Sequence, residues 1–421
     1  MAETYRKTVA IGCQGGGMHA AFEVGALTKI IEASAGRDSK FKLVGFSGTS
    51  AGALCALMAW YGLAPKRKGP GSPAEAVSIL NDFWNKFVAG PAAEDILNLL
   101  TVGSLRIAET EIPMLGLGAG SVSFNPMGIL FRAFAAALPE FGVRREYFDL
   151  EYMLNRACPE FAEIEWDAVE ARLLVGASEA INGYETVFDS DLNKSGAKAD
   201  PAANRWRQRL RLSLAGVAAS GTLPEVREAQ HIERCGSYWD GLYSQNPPIR
   251  DFTEERSKAP DEIWILRINP QQWPRLPETI GEIRDRENEL MGNLSLHKDL
   301  DFIQKVNSLG ELVKEIKKNH GIVQTLLGKE QQGIVDIDKA LGMIDKALQK
   351  LEPLTDKDVT VRTIKMRKDT CDQLQYSSKF NRSREFLDEL RKEGEEVAQA
   401  WLSDWPDRAG KYPEDAGYET R

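Results

Sequence analysis

Thr8-Val9-Ala10-Ile11 is the first apolar run of the chain, ended by Gly12 and by Gly15-Gly16-Gly17. A run this short, closed by glycines, reads as a buried strand. Phe22 to Ala33 then carries its apolar residues at helical spacing, Phe41 to Phe46 is a second strand, and Ser50 to Tyr61 a second helix. Strand, helix, strand, helix within about sixty residues predicts an α/β domain built on a parallel sheet.

Farther on, residues 74–160 read as mostly helical, interrupted by the apolar, glycine-rich stretch Met114-Leu115-Gly116-Leu117-Gly118-Ala119-Gly120. Strands are expected at Arg172–Gly176, at Tyr184–Phe188 and at Ile263–Ile268, with a helix over roughly Arg205–Ala219. The character changes after Pro270, and from Pro277 to about Leu351 the pattern is helical and charge-rich. There Leu327, Ile334, Ile337, Leu341, Ile344, Leu348 and Leu351 form an a/d stripe of about three and a half heptads. So short a stripe is marginal alone, which favours a buried intrachain hairpin over a subunit contact; the oligomeric state stays open. Val359–Met366 reads as one more strand and Ser383–Leu402 as a closing helix. The expected division is residues 1–276 as one domain and 277–421 as a mainly helical extension packed on it.

Composition narrows the function classes. Of 421 residues, 43% are hydrophobic and 27% charged, an ordinary globular balance. A net charge of −9 argues against a broad nucleic-acid footprint and disfavours general attraction to anionic membranes. The five cysteines lack close CxxC spacing and the four histidines lack an HExxH arrangement. Neither a disulfide framework nor a metal centre is expected, and a reducing, cytoplasmic setting fits. No secretory apolar core and no run of about 18 apolar residues is found, so the reading is a protein that is soluble or peripheral to a membrane.

Candidate chemistry comes from three places. Gly48-Thr49-Ser50-Ala51-Gly52 is a GxSxG sequence between a strand and a helix, where small neighbours allow the sharp turn that lifts a serine hydroxyl out of the fold. Alone it is also consistent with a plain strand–helix turn. Gly15-Gly16-Gly17 follows the first strand, and its bare amides can converge on one oxygen as an oxyanion hole requires. The same residues fit a dinucleotide fingerprint, Gly15-x-Gly17-x-x-Ala20. That reading places its ribose-binding acid, Glu32, inside a helix and leaves Ser50 without a role. Asp240-Gly241, followed by Asn246-Pro247-Pro248, is by itself a turn former.

Together, the glycine loop after strand one, GxSxG after strand two, Ala219-Ser220-Gly221-Thr222-Leu223-Pro224 and the distal Asp240-Gly241 resemble the patatin-like phospholipase family over about residues 7–270. The resemblance implies a three-layer α/β/α sandwich with the site at the C-terminal strand ends and a helical C-terminal extension. It implies Ser50 as nucleophile, Asp240 as its base, Gly15, Gly16 and Gly17 as oxyanion loop, and Gly48 and Gly52 as the glycines of the nucleophile elbow. It also implies a lipid or acyl-ester substrate, with no metal or organic cofactor. His19, Ala20 and Leu242 depart from the family pattern and bear on the shape of the site. A polyester depolymerase or small-ester esterase would share the dyad, and a regulatory or assembly protein would keep only the shell. An acidic enzyme acting on lipid needs a local apolar contact, and Ile112–Gly120 is read either as a flap at the mouth of the site or as a buried loop.

Overall fold

The computed structural model describes residues 6–405, except 37, 91, 110–143, 148, 198–205, 225, 226, 274, 331–334 and 356. Its strands are β1 (Lys7–Cys13), β2 (Phe41–Thr49), β3 (Arg172–Glu179), β4 (Glu185–Asp189), β5 (Arg207–Arg211), β6 (Gln230–Ile232), β7 (Gly236–Asp240), β8 (Glu262–Arg267) and β9 (Thr360–Lys365). They form one sheet in the order β5-β4-β3-β2-β1-β8-β9, with β7 pairing β3 and β6. The run β3-β2-β1-β8-β9 is parallel. β4 and β7 both run antiparallel to β3.

Alternation along the central strands builds a core on each face of the sheet. Val9, Ile11, Leu173, Val175, Trp264 and Leu266 face one core, which also receives α1 (Ala21–Ser34), α2 (Ala51–Leu63) and α3 (Pro73–Phe83). Ala10, Leu174, Ile263 and Ile265 face the other. Central strands covered on both sides carry near-continuous apolar runs, which is why they stand out in the sequence. Three shorter or peripheral helices are α4 (Ala92–Glu109), α5 (Leu150–Ala157) and α6 (Leu214–Ser220).

The second face is covered by Leu296, Leu300 and Ile303 of α7 (Ile280–Glu330). The segment beyond residue 276 therefore supplies one layer of the sandwich. It also supplies β9, paired in parallel with β8 along the whole strand. After α8 (Val335–Leu351) and β9, the closing helix α9 (Arg384–Asp404) crosses α1 on the first face. Gly25 and Gly394 make that crossing close: a Cβ on Gly25 would overlap the Arg391 carbonyl oxygen, and one on Gly394 the Phe22 carbonyl oxygen. Trp401 and Trp405 pack edge-to-face around Trp264, with ring centroids 4.6 and 5.2 Å away. Beneath them the buried Glu262 carboxylate accepts from the indoles of Trp264 (2.8 Å) and Trp405 (2.9 Å) and from Arg362 (2.7 Å). Burial pushes its pKa up, but these donors and Lys7 hold it below the usual range. Both cores of the sheet are thus built from residues on either side of position 276.

Two expectations are corrected. The helix read over Arg205–Ala219 is a strand, β5, followed by the shorter α6. Arg207 and Arg209 lie two apart on one face of β5 and reach Asp251, Glu254 and Asp189. Charge pairing fixes this edge strand, and apolar periodicity cannot reveal it. The described part of the heptad stripe is only partly buried: Leu348 is 8% exposed, but Ile344 is 42% and Leu351 38% exposed. Lys317–Glu352 (2.9 Å) ties the α7 side of the hairpin to the turn after α8. Two helices alone cover only one side of each other. The side chains of Leu327, Ile334, Ile337 and Leu341 lie outside the described residues.

Candidate active site

Strand register assembles the site. The last residue pair of β2 with β3 is Thr49 with Gly176. The next residue of β3, Ala177, pairs with Asp240 at the end of β7. Since β2 and β7 occupy the same edge of β3 in succession, Ser50, which follows Thr49, meets Asp240 across 190 positions of sequence. The end of β1 lies beside them, with Cys13 paired to Gly48, so the glycine loop arrives at the same place.

Ser50 is the single residue between β2 and α2, held at φ 56° and ψ −128°. A positive φ is costly for a residue with a side chain, on the order of 1–3 kcal/mol, and is sustained only where the surroundings enforce it. Here they do. A Cβ on Gly48 would stand 2.6 Å from the Ala53 backbone nitrogen, and one on Gly52 2.7 Å from the Cys13 carbonyl carbon. The Ser50 N–H donates to Ser220 Oγ at 2.9 Å, which fixes the turn from a third element.

Asp240 is fully buried. Its Oδ1 accepts from the Leu242 N–H at 2.9 Å, while Oδ2 has no hydrogen-bond partner of normal geometry. Burial pushes its pKa up to about 7, opposed by the nearby Ser50 hydroxyl and the Leu242 amide. A carboxyl poised there can exchange a proton with a neighbouring hydroxyl near neutral pH.

The three glycines are not equivalent. The Gly15 N–H donates to Asn246 Oδ1 at 2.6 Å, and the Gly15 carbonyl accepts from Asn269 Nδ2 at 2.7 Å. Gln14 anchors the same loop: its Oε1 accepts from the Ile268 (3.1 Å) and Asn269 (3.0 Å) amides, and its Nε2 donates to Asn293 Oδ1 at 3.0 Å. Gly15 is therefore a clamped position. Among the described residues no backbone hydrogen bond uses the Gly16 or Gly17 amide, which leaves those two as candidate oxyanion donors. Gly17 has φ +61°, and a Cβ there would also run into the Lys379 carbonyl oxygen.

Ser50, Asp240 and the three glycines line one cavity of about 270 Å³. Met18, Leu54, Val88, Met153, Leu223 and Phe380 give it an apolar wall, and Leu242 lies beside Asp240. His19 is not among the lining residues: it is buried, and its Nε2 sits 2.7 Å from Ser378 Oγ. Burial, then the charge of Lys379, lower its pKa. Ala20 is a core residue, as are Cys13 and Cys55. Glu32 lies in α1, paired with Lys29. Ile112–Gly120 lies outside the described residues. Sequence reasoning missed Gln14 and Asn269, which belong to no motif. Ser220 and Asn246 stood inside motifs, but their roles as clamps were not readable there.

This arrangement joins a strained serine, a neighbouring buried carboxyl, two free amides and an apolar wall. No helix among the described residues is long and apolar enough to cross a membrane. No curated protein sequence matches the chain. Among solved structures it is similar to VipD from Legionella pneumophila, at 10% identity and a TM-score of 0.36, over 95% of this chain and 67% of that one. Residues 13–253, more than half of the chain, match the family described as patatin-like phospholipase. The segment that carries the glycine loop, the serine elbow and Asp240 is the segment that matches, and the chain belongs to the patatin-like phospholipase family.

Proposed function

We propose that this protein hydrolyses carboxylic esters of lipids, with Ser50 as nucleophile and Asp240 as its base. Ser50 Oγ attacks the ester carbonyl carbon while its proton passes to Asp240 Oδ2. The carbonyl oxygen becomes an oxyanion facing the amides of Gly16 and Gly17. As the tetrahedral species collapses, the bond to the alcohol oxygen breaks and the proton moves from Asp240 to that leaving oxygen. Water then attacks the acyl-enzyme, gives a proton to Asp240, and the same proton returns to Ser50 Oγ as the fatty acid departs. No histidine is required, which agrees with the placement of His19 away from the cavity.

The observation that carries this reading is the buried Asp240 carboxyl, its pKa near 7, lining one apolar cavity with the strained Ser50. The wall of Met18, Leu54 and Phe380 suits an acyl chain. A plain strand–helix turn gives no reason to bury a carboxylate there, since that costs stability. The test is turnover of p-nitrophenyl butyrate by Ser50→Ala and Asp240→Asn. Both should lose at least about a thousandfold in kcat with unchanged circular dichroism. Parent-like turnover in either variant removes that residue from the mechanism.

A further inference from the structure

Two guanidinium groups, Arg227 and Arg382, line the cavity that holds Ser50 and Asp240. Arg382 stacks on the Tyr147 ring at 4.3 Å from its centroid, with Nη1 3.5 Å from the Tyr147 carbonyl oxygen. The Arg227 side chain forms no ion pair or hydrogen bond among the described residues. The carboxylates that act on the two guanidiniums, Asp149 on Arg227 and Glu94 on Arg382, are already held by other arginines. Glu94 is gripped by Arg144 through Nε and Nη2, both at 2.8 Å. Asp149 is gripped by Arg145 through the same two atoms, at 3.0 and 2.8 Å. A third cation at the cavity, Lys379, is paired with Asp285. Among the described residues, no carboxylate other than Asp240 lines this cavity. Burial and then the charge of Arg382 push the Arg227 pKa down to about 10. Burial lowers that of Arg382 as well.

In a chain of net charge −9, two guanidiniums beside a reaction centre that form no ion pair among the described residues are not a general surface property. Partly withdrawn from water, with the only carboxylates that act on them held by other arginines, they raise the cost of the empty site, and an oxyanion relieves that cost. The planar fork of a guanidinium matches the oxygens of a phosphate, whereas a neutral glyceride offers it no charge. We infer that Arg227 and Arg382 form a phosphate-binding subsite of the ester cavity, which takes the phosphodiester of a glycerophospholipid while its ester carbonyl reaches Ser50. Arg382 lies beyond the family match of residues 13–253, so the C-terminal segment contributes to substrate choice. The headgroup assignment rests on the hydrolase reading above, but the phosphate contact can be measured without turnover.

Two readouts test it. In the first, kcat/KM is compared for monomeric dihexanoylphosphatidylglycerol and dihexanoylglycerol. In the Arg227→Gln/Arg382→Gln protein the ratio should fall on the order of 10- to 100-fold, mainly through KM. In the second, inorganic phosphate is titrated calorimetrically into Ser50→Ala protein, and the binding seen there should disappear when both arginines are also replaced. An unchanged substrate ratio with lost phosphate binding would mean the site takes free phosphate and overturns the headgroup assignment. Phosphate binding that survives both replacements overturns the subsite itself. If the parent cleaves neither ester yet binds phosphate through these arginines, the subsite stands and the hydrolase reading falls. Arg227→Gln alone, which breaks no hydrogen bond, and Arg382→Lys, which keeps the charge, serve if the double variant does not fold.

Discussion

Asp240 shows how one residue ties activity to instability. Its carboxyl is raised by burial from 3.8 to about 7. As a base it acts ionised, so kcat/KM for a soluble ester should rise with pH to a plateau, with an apparent pKa near 7. A profile flat from pH 5 to 9 would rule out this base. The sign for stability is opposite. The folded protein keeps this proton up to about pH 7, whereas the unfolded chain loses it near pH 4. The stability this group provides is complete below about pH 4 and is lost as pH rises through 7. Asp240→Asn stays neutral at every pH and should therefore be more stable than the parent at pH 8, by up to about 4 kcal/mol in urea titration. Equal or lower stability would mean that burial does not penalise this carboxylate. At this scale Ser50, Asp240, Gly16 and Gly17 were legible as candidates, because short motifs report them, whereas the clamping of the Gly15 amide was not. Gln14, Asn246 and Asn269 were not: each bond that clamps the loop spans more than 230 positions.

Among the elements, the buried strands of the sheet were readable because apolar runs closed by glycine have few other solutions. β5 was not, since its side chains are fixed by Asp189 and Asp251 rather than by an apolar face. The C-terminal helix was found by its period, but its partner was hidden. The paired glycines Gly25 and Gly394 mark where α9 lies directly against α1. Gly394→Val should force these helices apart and cost about 1–3 kcal/mol or more in chemical denaturation, against a few tenths for a surface control such as Lys392→Val. A loss below 0.5 kcal/mol would mean that the crossing tolerates a side chain and the two glycines do not set it.

For the whole molecule, charge patterning changes near residue 276, and both cores of the sheet draw on residues from either side of that point. α7 covers Ala10, Leu174, Ile263 and Ile265, β9 extends the sheet, and α9 seals Trp264. A change of surface composition marks where a chain becomes more exposed, not where a core ends. A chain ending at residue 276 should therefore lack a cooperative thermal transition and any ester hydrolysis. A soluble, cooperatively folding and active fragment would show that the C-terminal segment is only an appendage. The central claim, that this fold presents Ser50 as a nucleophile driven by Asp240, is tested most directly by covalent labelling. With a fluorophosphonate, peptide mass spectrometry should place a single adduct on Ser50, with its rate cut at least about a hundredfold by Asp240→Asn. Labelling at another residue, or an undiminished rate without Asp240, would contradict it.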